Sequence, residues 1–163
     1  MIIAVSAPPI VDKTQAAQAL AEKYHLTAHE DPMRAACEDY GFQTIYEMPE
    51  QLQGELREQL ATAHVDLLSQ PGDLLLNYSV VEWVADWMRW SWNGISAEGW
   101  SKIIGLARSS ASQYDQIIHL DHGTTKPYDG YVWLDKTNSE QVNRLMKHLY
   151  EELDLMEKVR YSV

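Results

Sequence analysis

The first twenty-four residues constrain this chain more than any other stretch. Ile2-Ile3-Ala4-Val5 is a short apolar run without polar alternation, the pattern of a strand buried on both faces. Ser6 to Asp12, with Pro8 and Pro9 inside it, breaks the run. Gln15 to Tyr24 follows and is rich in strong helix formers. A buried strand, a tight loop and a helix in that order predict a parallel sheet with crossover connections.

The loop has the frame G-x-x-x-x-G-K-[ST], whose backbone N–H groups cradle phosphate at a helix N-terminus. Lys13 and Thr14 fill its last two places, but Ala7 and Asp12 stand at the two glycine places. Glycine lets the chain take φ > 0 and lets phosphate approach the main chain. Pro8 and Pro9 each remove an N–H and fix φ. Asp12 adds a carboxylate beside the anion position; a like-charge pair at ~4 Å and an effective dielectric of about 20 costs on the order of 4 kcal/mol. Two uses of Asp12 stay open: excluding phosphate, or bonding Lys13 and capping the helix. The candidate cofactor residues are therefore Lys13, Thr14 and the altered Asp12, for ATP and Mg²⁺ if the loop still binds them.

Further along, Leu26 to His29 reads as a second strand and Met33 to Tyr40 as a helix entered through Pro32 and ended by Gly41. From Pro49, Leu52, Leu56, Leu60, Ala63 and Leu67 recur at helical spacing until Pro71-Gly72. The acidic run Glu47 to Glu58 reads as a solvated face. Asp73 to Tyr78 predicts a buried strand, and Ser79 caps a helix over Val80 to Trp92 that ends at the turn Asn93-Gly94. A helix over Ala97 to Ser109, a strand over Tyr114 to Leu120, a loop over Asp121 to Lys136, a helix from Glu140 to Leu153 capped by Ser139, and a last strand over Leu155 to Val163 complete the pattern. Strands alternate with helices throughout, so we expect one α/β domain over residues 1–163. No repeat, low-complexity run or linker divides it.

Composition narrows the partners. The net charge of −11 repels nucleic acid and anionic membranes. No apolar run approaches the ~20 residues of a membrane span, and no basic-then-apolar leader opens the chain. Cys37 is the single cysteine, so no disulfide or cysteine zinc site forms within one chain. The expected compartment is the cytoplasm.

The order of elements, together with Ala7 to Thr14, Leu74 to Ser79 before a helix, and Tyr114 to Asp121 with Asp129-Gly130 beyond it, resembles the P-loop nucleoside and nucleotide kinases. It is most similar to the AAA-type ATPase-domain group that includes the nicotinamide riboside kinases. Gly41-Phe42 ahead of a long Gln/Glu/Leu helix is similar too. The resemblance implies a P-loop NTPase three-layer sandwich, with a parallel sheet of about five strands and helices on both faces. It also implies that Lys13 contacts the β/γ phosphates, that Thr14 holds Mg²⁺, and that Asp31 or Glu30, after the second strand, is the candidate catalytic base. The family's acidic motif after the third strand is replaced by Asn77 and Ser79. Its lid arginine is missing, since Tyr131 and Val132 follow Asp129-Gly130; Lys126 is the nearest substitute, and a flexible point charge is not equivalent. Phosphoryl transfer needs positioned metal and cations together, so joint departures predict impaired catalysis and a ligand- or protein-binding role. The alternative is an active small-molecule kinase with an atypical loop.

Two further groups were weighed. His119, Asp121 and His122 have metal-ligand chemistry at a strand end, but read as a polar cluster, and no metal is assigned. Trp83, Trp87 and Trp90 fall on one helical face, with Tyr78, Trp92 and Trp100 as candidates to extend it. They are core, an exposed face for a protein partner, or a stacking wall for a planar ligand. Val80, Val81, Val84 and Met88 offer a second apolar face, so the expectation is a split: one Trp structural and at least one exposed.

Overall fold

Strand β1 (Ile2–Ser6) lies at the centre of a five-stranded sheet ordered β2-β3-β1-β4-β5. The computed structural model describes residues 1–90, 96–121, 123–125 and 135–162. Every strand pair is parallel: Ile3 opposite Leu75 of β3 (Leu74–Leu76), and Ala4 opposite Ile117 of β4 (Gln116–Leu120). Strand β2 (Ala28–His29) pairs with β3 at one edge, and β5 (Val159–Ser162) pairs with β4 at the other.

Alternation along β1 divides the core between two layers. Ile3, Val5 and Leu75 face α1 (Thr14–Tyr24), packing with Ala17, Leu20 and Ala21. Ala4, Leu76 and Ile117 face the other helices: α2 (Met33–Asp39), α3 (Glu50–Leu68), α4 (Val80–Trp90), α5 (Ala97–Gln113) and α6 (Lys136–Glu152). This is the expected α/β sandwich with helices on both faces, and because the strands are parallel they all leave the sheet at one edge, where the altered loop begins. No helix among the described residues is long and apolar enough to cross a membrane.

The element boundaries differ from expectation in instructive places. Helix α6 begins at Lys136, not after Ser139, because the Asp135 carboxylate accepts from Thr137 N at 2.9 Å. Ser139 is buried, and its hydroxyl accepts from Ile10 N at 3.3 Å. Strand β5 is shorter than the run from Leu155, because Leu155 drops into the core. The acidic run was not one solvated face. Glu47 ends a 3-10 turn (Ile45–Glu47) and accepts from Gln43 N and Thr44 N, while Leu56 and Arg57 are buried. The turn at Asn93-Gly94, Trp92, His122 and the lid positions from Lys126 to Val132 lie outside the described residues.

Candidate functional site

The loop between β1 and α1 is closed by its own protein. Pro8 and Pro9 bring no N–H. Ala7 N donates to Glu82 Oε1 at 3.2 Å, and Ile10 N to Ser139. Val11 N donates to Pro8 O at 3.0 Å, Asp12 N to Thr124 O at 2.9 Å, and Thr14 N to Asp12 Oδ1 at 2.9 Å. An isolated bridge, Val11 with Thr125, joins the loop to the chain beyond β4. In a working phosphate loop such amides converge on an anion. Here five of them already point at protein oxygens.

The lysine is taken as well. Lys13 Nζ lies 2.6 Å from Glu82 Oε2, and both side chains are largely shielded. Glu82 sits on α4, one turn past Ser79, and its N donates to the Ser79 hydroxyl at 3.3 Å. Burial pushes the Glu82 carboxyl up, while Lys13 pulls it back down. Its two oxygens thus occupy the contacts that phosphate oxygens make with a loop N–H and a loop lysine. Sequence reasoning passed over Glu82; the only local signal is the Ser79-x-x-Glu82 spacing of a capping box. Asp12 accepts from Thr14 N in a turn at the start of α1, while Lys13, the N-cap of that helix, receives no side-chain cap bond.

Below the loop, Ser6 and Ser79 share a hydrogen bond at 2.8 Å inside the core. The Tyr150 hydroxyl lies 3.1 Å from Ser6 Oγ and 2.9 Å from His119 Nδ1. His119 Nε2 meets Asn143 Oδ1 at 2.9 Å, and Asn143 Nδ2 donates to Asp121. Lys147 completes the line at Asp121, holding its carboxyl down at about 2 together with Asn143, although burial opposes this. His119 and Asp121 are therefore members of a satisfied polar network.

Both candidate bases are hydrogen-bonded within the protein, Glu30 from an exposed position. Asp31 accepts from Met33 N at 2.9 Å and from Trp83 Nε1 at 3.1 Å. Glu30 accepts from Asn77 Nδ2 at 2.9 Å, leaving Asn77 Oδ1 buried without a partner. Thr14, Glu30 and Asn77 come together on an open groove of about 340 Å³ between α1 and β2.

The aromatic stripe goes inward. Tyr78, Trp83 and Trp87 are buried, stacked in sequence with ring centroids 5.0 Å and 6.0 Å apart. Trp90 is half-buried and meets Tyr46 edge-on at 5.9 Å. A partner face made of Tyr78, Trp83 and Trp87 is thus corrected to core. The second face of Val80, Val81 and Val84 is buried too, so α4 is packed on both sides rather than against the sheet alone.

Two buried titratable side chains on α3 were also missed. His64 extends the i, i+4 series Leu56-Leu60-His64-Leu68, all four buried. It meets the Tyr114 hydroxyl at 2.7 Å and that of Tyr78 at 3.3 Å. Burial alone pulls its pKa down to about 4 from 6.5. The unfolded chain therefore takes up this proton below pH 6.5 and the folded chain resists until about pH 4, so stability falls with pH across that window. The shift corresponds to about 3 kcal/mol. Asp86, raised to about 6 by burial, has the opposite sign: its term is present at low pH and is lost as pH rises towards 6. The clean measurement is a difference. The stability gap between wild type and His64→Phe, from urea unfolding, should shrink by about 3 kcal/mol between pH 7 and pH 4; a constant gap would mean that His64 takes up its proton as readily in the folded chain as in the unfolded one.

Arg57 is 1% exposed, and its Nε and Nη2 have no hydrogen-bond partner. Its guanidinium lies over the Trp87 ring, 5.7 Å from the centroid. Leaving charged donors buried and unpaired costs upwards of ~1–3 kcal/mol.

No family model and no curated protein matches the sequence. Among solved structures, the chain is similar to the NadR protein in complex with NAD and AMP-PNP, with a TM-score of 0.70 and 15% identity. It is similar also to the NadR protein in complex with NR, with a TM-score of 0.73 and 15% identity. Each likeness covers 98% of this chain and 43% of the other, so the chain spans less than half the length of those proteins. At that identity the likeness carries the fold, and with the parallel sheet and the strand-loop-helix at its centre it is the fold of a P-loop kinase-like protein.

Proposed function

We propose that this chain is a P-loop kinase-like protein whose phosphate loop is closed from within, and that it acts as a ligand- or protein-binding module rather than a phosphotransferase. The observation that carries this reading is the engagement of the loop: Glu82 holds Lys13 and Ala7 N, and Ile10, Val11, Asp12 and Thr14 donate to protein acceptors. Phosphoryl transfer depends on such donors and cations being aimed at phosphate. The bond from Trp83 to Asp31 adds to it, because a base tied to a buried indole is not free to take a hydroxyl proton.

The test is calorimetry with millimolar Mg²⁺-ATP on folded protein, followed by a nucleoside panel assayed for phosphate transfer. We expect no heat and no turnover. Turnover that disappears in Lys13→Ala would overturn the reading in favour of the competing one, an active small-molecule kinase. Lys13 and Thr14 in frame at the N-terminus of α1 favour that alternative. In it Glu82 would release Lys13 on nucleotide entry, with Asp31 or Glu30 as base. The acidic charge of −11 disfavours nucleic acid as a partner in either case.

A further inference from the structure

The unpaired donors of Arg57 point to a ligand. Arg57 lies in α3 against α4, where Asp86, Trp87, Arg89 and Trp90 are consecutive or near neighbours. Its Nε and Nη2 lack acceptors, and so does Nε of Arg89. Among the described residues no carboxylate forms an ion pair with either guanidinium. Asp86 is near, but its Oδ2 is taken by the Tyr46 hydroxyl. A buried guanidinium with two open donors, beside a half-buried one with a third, is a rare feature in a chain of net charge −11, because such groups are normally matched to carboxylate or phosphate oxygens. Beside them stand two aromatic rings: Arg89 lies 4.5 Å from the Trp90 centroid, and Tyr46 contacts Trp90 edge-on. Tyr46 is 44% exposed, so the aromatic pair reaches solvent on its outer side.

We propose that Arg57 and Arg89 form an oxyanion subsite behind the Tyr46–Trp90 pair, and that it takes a small planar ligand carrying a carboxylate or phosphate group. The anion fills the open donors, and the ring lies along Trp90 and Tyr46. This inference deepens the ligand-binding reading and rests on it.

The experiment is calorimetry of the whole chain with benzoate, phenyl phosphate and benzamide, with tryptophan fluorescence recorded alongside. Benzoate or phenyl phosphate should bind one to one at submillimolar concentration and change the fluorescence, while benzamide, of the same shape without the charge, should not. Arg57→Met, shown folded by circular dichroism, should weaken the anions at least about tenfold, the loss of one charged fork. If Arg57→Met does not fold, Arg89→Met should show a loss of the same order. Absence of binding to wild type at 10 mM, chosen here as roughly a hundred times a submillimolar constant, or equal binding by a folded variant, overturns the proposal and leaves ordered water as the partner of Arg57. Neither anion probe tests the phosphate loop, so failure here would leave the reading of Glu82 standing, and the reverse holds.

Discussion

Glu82→Gln should give this protein a measurable affinity for Mg²⁺-ATP. The substitution keeps the shape of the side chain and the contact of Glu82 N with Ser79, while it removes the charge that holds Lys13 at 2.6 Å. Two effects then act together. Lys13 is released to meet an incoming phosphate, and a carboxylate that would repel that phosphate at contact distance is gone. Taking ~4 Å and an effective dielectric of about 20, the second effect alone has a ceiling on the order of 4 kcal/mol, roughly a thousandfold in affinity. The gain should fall short of that ceiling. Ile10, Val11 and Asp12 still spend their N–H groups on Ser139, Pro8 and Thr124, so the loop recovers its cation but not its cradle. We expect about a hundredfold, read by calorimetry, and its loss in the double variant with Lys13→Ala. A Glu82→Gln protein as indifferent to Mg²⁺-ATP as wild type would show that the shape of the loop, set by Pro8 and Pro9, closes the site.

The second large effect is expected in the core. Trp87→Ala should lower stability by ~3–5 kcal/mol, the range for emptying a buried aromatic position. Trp87 is 1% exposed, stacks on Trp83, and supplies the ring face beneath Arg57. Its removal leaves a cavity and also strips the buried guanidinium of its closest companion, which places the loss at the upper end of the range. At ~2–4 °C per kcal/mol for a chain of this size, the melting temperature should drop by roughly 10 °C or more. Trp90→Ala, at a half-buried position, should cost far less. Thermal unfolding of the two variants side by side decides the matter; equal losses would mean that the inward packing of α4 is wrong.

How much of this was readable beforehand follows from the range of each interaction. The sandwich was legible because its signals are local: an apolar run such as Ile2 to Val5, Gly or Pro at element ends, and helical spacing from Leu52 to Leu67. The altered places Ala7 and Asp12 were legible for the same reason, since a motif fixes its own register. The Lys13–Glu82 pair was not, because Glu82 is separated from Lys13 by 69 residues and looks, in sequence, like an ordinary first-turn acid. Arg57 failed in the opposite sense: flanked by Glu55 and Glu58 it reads as surface, and only the packing of α3 on α4 and α5 reveals that it lies inside. Asp135 displaced Ser139 as the α6 cap because either residue type suits that position, and the tie to Ile10 that occupies Ser139 joins residues 129 apart in the sequence.

The joining of the loop to Glu82, Ser139 and Thr124 has a consequence for any molecule that settles on the rim. A phosphate loop that waits for its anion is ordered in part by that anion, and the cost of ordering is deducted from the affinity of the guest. Here the strand exits of β1 and β4 and the start of α6 are already fastened to one another through main-chain and side-chain bonds. The rim is therefore stiff before anything arrives. A guest meets a wall of fixed shape, so recognition at this edge should be selective by fit, fast to reverse, and accompanied by little change in the amide exchange of residues 7–14.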